Sequence, residues 1–293
     1  MTDSVLMLQI RSNCVVSYFR NTTPADLTPE QREAIRLLMI ERRKEAYKNK
    51  FSDGAKKRVG RAIDLLVQIA KTRYIDNPVT GKKQRHRLSF ITLTISQHKN
   101  ITAKEAYDKG LVHFLQWFRR TMGVRTYVWK CEVQKRGQIH YHITTPNWIH
   151  YQKIRDKWNN IQRENNWLDD YYKLKGHYDP NSTDIGEVQH VKDLSGYLKK
   201  EFCKAIQNPE CDGKVWDCSM NLKKFGFYQT PVTAEMLSNI NKLNQQKKIT
   251  IKTLDQCEIY IPDKQGLEQF ISLTQIQEYD THRNNIRNFK KDT

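Results

Sequence analysis

The chain has 293 residues, with 50 Lys and Arg against 32 Asp and Glu and a formal charge of +18. This excess predicts a polyanionic partner, nucleic acid before an anionic membrane, although a basic solvated surface would give the same balance. Aromatic residues make up 10% of the chain, too many for a disordered basic tail. No apolar run approaches a membrane span, and none of the six cysteines forms a CxxC pair. We therefore expect a reduced, cytoplasmic protein without a membrane segment.

The first third of the chain predicts short strands and two basic helices. Residues 5–10 and 14–19 have the composition of short strands. Thr28, Pro29 and Gln31 form a capping signal for a helix that would run to about residue 48. A second helix follows Ser52, with an apolar stripe on one face and lysines and arginines on the other.

The middle of the chain interleaves strands and helices around a tight hairpin. We expect strands at 88–96, 127–133, 138–145 and 185–191, and helices starting at Thr102, near Trp148 and at about Asp193. These elements predict an α+β domain, with a central antiparallel sheet of about five strands and flanking helices. The expected organisation is an N-terminal extension (1–84), a central domain (85–225) and a C-terminal extension of unknown role (226–293).

The hairpin register follows from its loop. With a three-residue loop that ends on a left-handed Gly137, Glu132 pairs with His140 and Lys130 with His142. One face of the hairpin is then polar and the other almost wholly apolar. A slip of one residue would bury Glu132, at a cost of several kcal/mol, about what an unpaired buried carboxylate loses.

This register places His140, His142 and Glu132 on one face of the sheet. Two imidazoles and one carboxylate with open positions suit Mn²⁺ or Mg²⁺ bound to a phosphate, and would also accept Zn²⁺. A His-x-His pair alone more often binds nothing on an exposed strand. The in-register carboxylate makes a metal site about as probable as its absence.

The last helix of the central domain carries Tyr197 and Lys200 three positions apart on one flank. Neighbouring lysines favour the phenolate form of a tyrosine and can pair with a phosphate, so Tyr197 is a candidate nucleophile. Asp193 is a candidate N-cap of this helix. Taken alone, the pattern is more often an ordinary half-buried tyrosine with lysines on a solvated face.

Together these segments resemble the HUH endonuclease superfamily, and within it the single-tyrosine rolling-circle replication initiators of small bacterial plasmids and single-stranded DNA phages. Three motifs occur in the same order: residues 90–94, Glu132 with residues 138–142, and residues 191–200. Residues 215–223 also resemble a segment downstream of the third motif. The resemblance covers about residues 85–225.

The resemblance implies a DNA strand transferase. His140, His142 and Glu132 would hold Mn²⁺ or Mg²⁺ on the scissile phosphate, and Tyr197 would attack it, leaving a 5′-phosphotyrosine and a free 3′-OH. Lys200 would neutralise the phosphate, and Lys199 could substitute for it. The substrate would be single-stranded or hairpin origin DNA in the bacterial cytoplasm. Basic residues would supply most of the affinity for DNA: Lys82, Lys83, Arg85, Arg87, Lys130, Lys199 and Lys204.

Other features restrict or compete with this interpretation. Glu201 stands where a second tyrosine would be, so a second cleavage needs another subunit or reuse of the site, and the sequence does not predict the oligomeric state. No GxxxxGK[ST] loop occurs, so we expect a host helicase as well as a host polymerase. The alternatives are a transposase or relaxase of the same superfamily, a non-catalytic nucleic-acid-binding protein with a degenerate site, and a basic protein structured by zinc. Relaxases usually carry a third histidine in place of Glu132, and the irregular spacing of Cys203, Cys211 and Cys218 makes a zinc site improbable.

Overall fold

The computed structural model describes residues 4–21, 28–30, 33–34, 36–37, 53–76, 81–96, 101–134, 137–187, 194–205, 214–263, 269–272 and 276–289. The chain divides into two units, Asp53–Lys224 and the combination of Met1–Ser52 with Phe225–Thr293. Within the described residues, no helix is both long and apolar enough to cross a membrane.

The regular elements alternate along the chain. The strands are β1 (Ser4–Ile10), β2 (Val15–Asn21), β3 (Arg73–Asp76), β4 (Lys83–His86), β5 (Ser89–Thr94), β6 (Val128–Val133), β7 (Ile139–Thr145), β8 (Thr183–Glu187), β9 (Trp216–Cys218), β10 (Gln229–Pro231), β11 (Ile249–Leu254) and β12 (Cys257–Pro262). The helices are α1 (Asp53–Ile69), α2 (Ala103–Glu105), α3 (Val112–Arg120), α4 (Tyr151–Glu164), α5 (Asp169–Lys175), α6 (Leu194–Ala205), α7 (Met220–Lys224), α8 (Ala234–Gln245) and α9 (Ile276–Asn288), with a π-helical segment (Ala106–Leu111) between α2 and α3.

The unit Asp53–Lys224 is built on a five-stranded antiparallel sheet in the order β8-β5-β7-β6-β9. Its strands alternate, so that Ile91 and Leu93 of β5 are buried while Thr92 between them is partly exposed on the other face. On the apolar face the ring of Trp158 from α4 lies 6.4 Å from that of Tyr141 on β7. The α+β fold with a central antiparallel sheet, predicted from the sequence, is confirmed.

The helical region after β5 begins where the sequence predicted. The Thr102 side chain accepts a hydrogen bond from the Glu105 amide at 3.1 Å. The helix is not uniform, however, because Ala106–Leu111 is π-helical. Gly110 lies in this segment, and a Cβ atom there would come within 3.0 Å of the Trp167 ring. The absence of a side chain at Gly110 therefore allows this close approach.

Helix α1 belongs to the same unit as this sheet, so the predicted boundary at residue 85 differs from the division that the structure gives. The apolar stripe of α1, including Val59, Ile63 and Leu66, is buried. The stripe correctly predicted a helix but gave no sign of its packing partner. The helix predicted over 28–48 lies mostly outside the described residues.

The other unit joins the two ends of the chain. Its sheet has the order β10-β1-β2-β12-β11, so the two N-terminal strands pair with strands from the last quarter of the chain. The short strands predicted near residues 5–10 and 14–19 are confirmed as β1 and β2. Leu8, Ile10 and Val15 pack with Tyr260 and Met236 in one core. Residues beyond 225 thus complete a sheet that the N-terminus begins.

Candidate functional site

Two histidines and their strand partners share one face of the five-stranded sheet. Successive side chains of β7 alternate, so His140 and His142 lie on the same side. On β6, Glu132 stands opposite His140 and Lys130 opposite His142. The predicted hairpin register is therefore confirmed, and Gly137 has the left-handed backbone that it required, with φ +79°.

Both imidazole rings are oriented by threonines of β5. Thr92 stands opposite His142 and Thr94 opposite His140. The Thr92 hydroxyl lies 3.1 Å from His142 Nδ1, and the Thr94 hydroxyl lies 3.3 Å from His140 Nδ1. These contacts fix each ring by one nitrogen and direct the Nε2 atom away from β5. Metal-binding histidines are commonly held by their second nitrogen in this way.

The Nε2 atoms meet oxygen atoms of neighbouring side chains. His142 Nε2 lies 3.1 Å from a carboxylate oxygen of Glu132, and His140 Nε2 lies 3.3 Å from the amide oxygen of Gln138. The donor types suit a divalent cation. Within the described part of the chain, however, no group of three or more His, Cys, Asp or Glu side chains is assembled to hold a metal ion. His140, His142 and Glu132 remain candidate ligands on the chemistry of their donor atoms.

Burial keeps both imidazoles neutral near pH 7. Burial, reinforced by the Lys130 ammonium, lowers the pKa of His142 to about 4 against the opposing effect of the Glu132 carboxylate. Burial also lowers the pKa of His140, again opposed by Glu132. A neutral imidazole has the free lone pair that a metal ligand or a hydrogen-bond acceptor needs.

Lys130 connects this face of the sheet to α6. Its ammonium group donates to the backbone carbonyl of Glu201 at 2.9 Å, lies 3.6 Å from Glu132 and sits 5.7 Å from the centre of the Phe202 ring. The side chain is buried. The structure gives Lys130 this internal role instead of the surface contact with DNA that the sequence suggested.

Helix α6 presents Tyr197 to the outside and is held from behind by α1. Tyr197 is 44% exposed, whereas Leu198 is fully buried. The carboxylate of Asp64 on α1 accepts hydrogen bonds from the Ser195 hydroxyl and, at 2.7 Å, from the Lys199 ammonium. Lys199 is thus ion-paired within the protein, and Lys200 is exposed.

Tyr197 lies close in sequence to the point where α6 meets the histidine face. Glu201, which accepts the Lys130 hydrogen bond, follows Tyr197 by four residues, about 6 Å along the helix axis. The structure therefore attaches the tyrosine helix to β6 beside the residue that pairs with His142. The predicted N-cap Asp193 lies outside the described residues.

The other basic residues predicted to contact DNA differ in their surroundings. Lys82, Lys83 and Arg85 are exposed on or next to β4. Arg87 is partly buried and donates to the carbonyl of Val67 at 3.0 Å, and burial lowers the pKa of its guanidinium. Nothing is described of the Lys204 side chain.

The sequence did not reveal all partners of these residues. Thr92 and Thr94 were visible as the polar side of a strand, but their bonds to the histidines require the β5–β7 register. Asp64 was detectable in principle, because it is a carboxylate next to the apolar stripe of an amphipathic helix. Among the cysteines of the zinc alternative, Cys218 is a buried free thiol, and Cys203 and Cys211 are not described.

The comparisons with known proteins give one match. Residues 88–206 match a family model of replication-associated proteins of the ORF2 type. This segment, less than half of the chain, runs from β5 to α6 and includes Glu132, both histidines and Tyr197. The match supports a relationship with a replication initiator family and a role in DNA replication that involves binding DNA. No curated protein and no solved structure matches the chain.

Proposed function

We propose that the protein initiates rolling-circle DNA replication by nicking and rejoining one strand of origin DNA through Tyr197. One observation carries the proposal. The buried Lys130 bridges from the strand residue opposite His142 to α6, so that the two candidate parts of an active site belong to one rigid assembly. The match to a replication-associated family supports the choice of substrate.

The chemistry follows from the exposed phenol and the basic residue beside it. The Tyr197 oxygen attacks the scissile phosphorus and forms a phosphotyrosine at the 5′ end as the bond to the 3′ oxygen breaks. The tyrosine loses its proton and the departing 3′ oxygen gains one. The exposed Lys200, one turn along the helix, offsets the phosphate charge. Because the ester bond preserves the energy of the phosphodiester, a later 3′-OH can reverse the reaction.

A divalent cation, Mn²⁺ or Mg²⁺, bound by His140, His142 and Glu132 would offset negative charge on the phosphate oxygens. The protein's own part is to keep both imidazoles neutral and oriented, through burial and through Thr92 and Thr94. Exposed basic residues on and next to β4, Lys82, Lys83 and Arg85 would bind the backbone of single-stranded or hairpin DNA.

The free 3′-OH would prime a host polymerase, with a host helicase to separate the strands, in the bacterial cytoplasm. A plasmid or a single-stranded DNA phage would be the replicon. A transposase or relaxase of the HUH superfamily would use the same residues on a different DNA sequence, so the DNA that is cut distinguishes these functions.

A denaturing-gel assay with labelled single-stranded origin DNA tests the proposal. We expect a covalent protein–DNA adduct that requires Mn²⁺ or Mg²⁺ and is lost in Tyr197→Phe and in His140→Ala. Tyr172→Phe is the matched control, since Tyr172 is also 44% exposed but lies on α5. An undiminished adduct in Tyr197→Phe would refute the proposal. DNA binding without any adduct on all candidate origins would instead favour a non-catalytic binding protein.

A further inference from the structure

The antiparallel pair β3 and β4, called here the β3–β4 ribbon, has two different faces. Tyr74 stands opposite Arg85, and Asp76 opposite Lys83, so these four side chains share one face. On the other face His86 is fully buried. The ribbon therefore has an inner side and an outer side.

The inner side attaches the ribbon to the five-stranded sheet. His86 Nε2 lies 3.0 Å from the Ser89 hydroxyl at the start of β5. Arg73 donates to the carbonyl of Pro146, just after β7, at 3.0 Å. These contacts hold the ribbon at one end of the sheet that carries the histidines. The outer face is thus displayed on a fixed support.

The outer face combines an exposed aromatic ring with positive charge. Tyr74 is 70% exposed. Directly opposite is Arg85, and Lys83 lies two residues before it on the same face; both are exposed. The neighbouring Lys82 adds a further exposed cation, against the single carboxylate of Asp76. A phenol ring left in water among cations gains nothing from burial within this unit, but it offers a flat surface to a planar ligand.

This combination fits single-stranded nucleic acid. Proteins that bind single strands use aromatic rings on which bases stack, next to cations that follow the phosphates. A base in a duplex has both faces covered by its neighbours and cannot stack on Tyr74. The ribbon thus has the chemistry to select unpaired bases in addition to attracting DNA.

The position of the ribbon suits a strand that continues to the histidine face. Pro146, where Arg73 attaches the ribbon, follows His142 by four residues, about 13 Å along β7. About four nucleotides at the 3.4 Å spacing of stacked bases cover that distance.

We propose that the outer face of the β3–β4 ribbon is a single-strand DNA subsite, in which Tyr74 stacks on an unpaired base and Lys83 and Arg85 pair with the adjoining phosphates. The inference deepens the proposed nicking function and rests on it for the identity of the nucleic acid. The stacking itself can be tested without any cleavage.

Fluorescence anisotropy with a labelled oligonucleotide tests the subsite in full-length Tyr197→Phe protein without divalent metal, so that no strand is cut. We expect Tyr74→Ala to weaken single-strand binding at least about fivefold, the effect of losing one stacked base. Tyr74→Phe should bind normally because it keeps the ring. Phe19→Ala is the control, since Phe19 is a 67% exposed aromatic on β2 of the other unit.

Two further measurements separate stacking from charge. Arg85→Ala should reduce the slope of log affinity against log salt by about one phosphate contact. Binding to a duplex of the same length should be nearly unchanged by Tyr74→Ala. Equal single-strand affinities for Tyr74→Ala and its parent, or no binding of single strands by the parent, would overturn the proposal and leave Tyr74 as the contact for a protein partner.

The outcome is separable from that of the proposed function. If Tyr74→Ala weakens binding while the wild-type chain forms no covalent adduct, the subsite stands and the nicking function fails. If the adduct forms and Tyr74→Ala binds as its parent does, the nicking function stands and the subsite fails.

Discussion

Asp64 offers the sharpest test of how the helix of Tyr197 is held. Its carboxylate is the shared acceptor for the Ser195 hydroxyl and the Lys199 ammonium, and so joins α1 to α6. The Asp64 side chain is only 8% exposed, and that of Lys199 is 35% exposed. We expect Asp64→Ala to destabilise the unit Asp53–Lys224.

The magnitude follows from the two lost interactions. A hydrogen bond to a charged group contributes about 1.5–3 kcal/mol, and loss of one partner of a fully buried ion pair costs about 3–5 kcal/mol. After the substitution Lys199 can be solvated, because it is already a third exposed, and this lowers the cost. The free energy of unfolding should therefore fall by about 2–3 kcal/mol. Asp64→Asn keeps an acceptor for Ser195 and should lose about 1 kcal/mol less.

Urea unfolding followed by tryptophan fluorescence measures this loss. All six tryptophans lie between Trp117 and Trp216, so the signal reports the unit Asp53–Lys224 alone. A double-mutant cycle with Lys199→Met should give a coupling free energy above about 0.5 kcal/mol, as expected for residues in direct contact. An unchanged unfolding midpoint in Asp64→Ala, or additive effects in the cycle, would show that the ion pair does not hold α6.

Three further outcomes are expected. Thr92→Val and Thr94→Val each release one imidazole, and should weaken Mn²⁺ binding, measured by electron paramagnetic resonance, by about 10–100-fold while leaving the fold intact; equal affinities would refute a positioning role. Gly110→Ala brings a Cβ atom within 3.0 Å of the packed Trp167 ring, and should lower the free energy of unfolding by about 1–3 kcal/mol in the same urea assay, where a gain would contradict the close packing. Burial raises the pKa of Cys218 to about 12, so this thiol should not react with a thiol reagent at pH 8 until the protein unfolds, and rapid labelling of the native protein at Cys218 would contradict its burial.

The histidine hairpin was predictable because local rules decided it. Its turn glycine, its strict alternation and the cost of burying Glu132 all favoured one register, and that register is the one observed. Sequence separation in the hairpin is small, so few alternative pairings compete. The same reasoning identified His140 and His142 as neighbours on one face.

Contacts between distant segments were not predictable in this way. Nothing in residues 5–10 indicates that β1 pairs with β10, more than two hundred residues away. The stripe on α1 predicted a buried face, but many partners would satisfy an apolar stripe equally well. The position of Asp64 opposite Ser195 and Lys199 depends on that choice of partner. The domain boundary was misplaced for the same reason.

The packing of α6 separates the two adjacent lysines that the sequence left interchangeable. With about 100° between successive residues, Lys199 lies about 100° from the buried Leu198 in one direction and Tyr197 about 100° in the other. Lys199 therefore faces Asp64 on α1. Lys200 lies about 60° from Tyr197, on the flank opposite that of Lys199.

This geometry predicts different consequences for the two lysines. Lys200→Ala should slow formation of the covalent adduct at least about tenfold, because it removes a cation beside the attacked phosphate. Lys199→Met should lower the urea midpoint instead, because it leaves the Asp64 carboxylate without its cation. A slowed reaction with normal stability in Lys199→Met, together with a normal reaction in Lys200→Ala, would show that Lys199 leaves Asp64 when DNA binds. The ion pair would then be a resting state of the helix and not its permanent support.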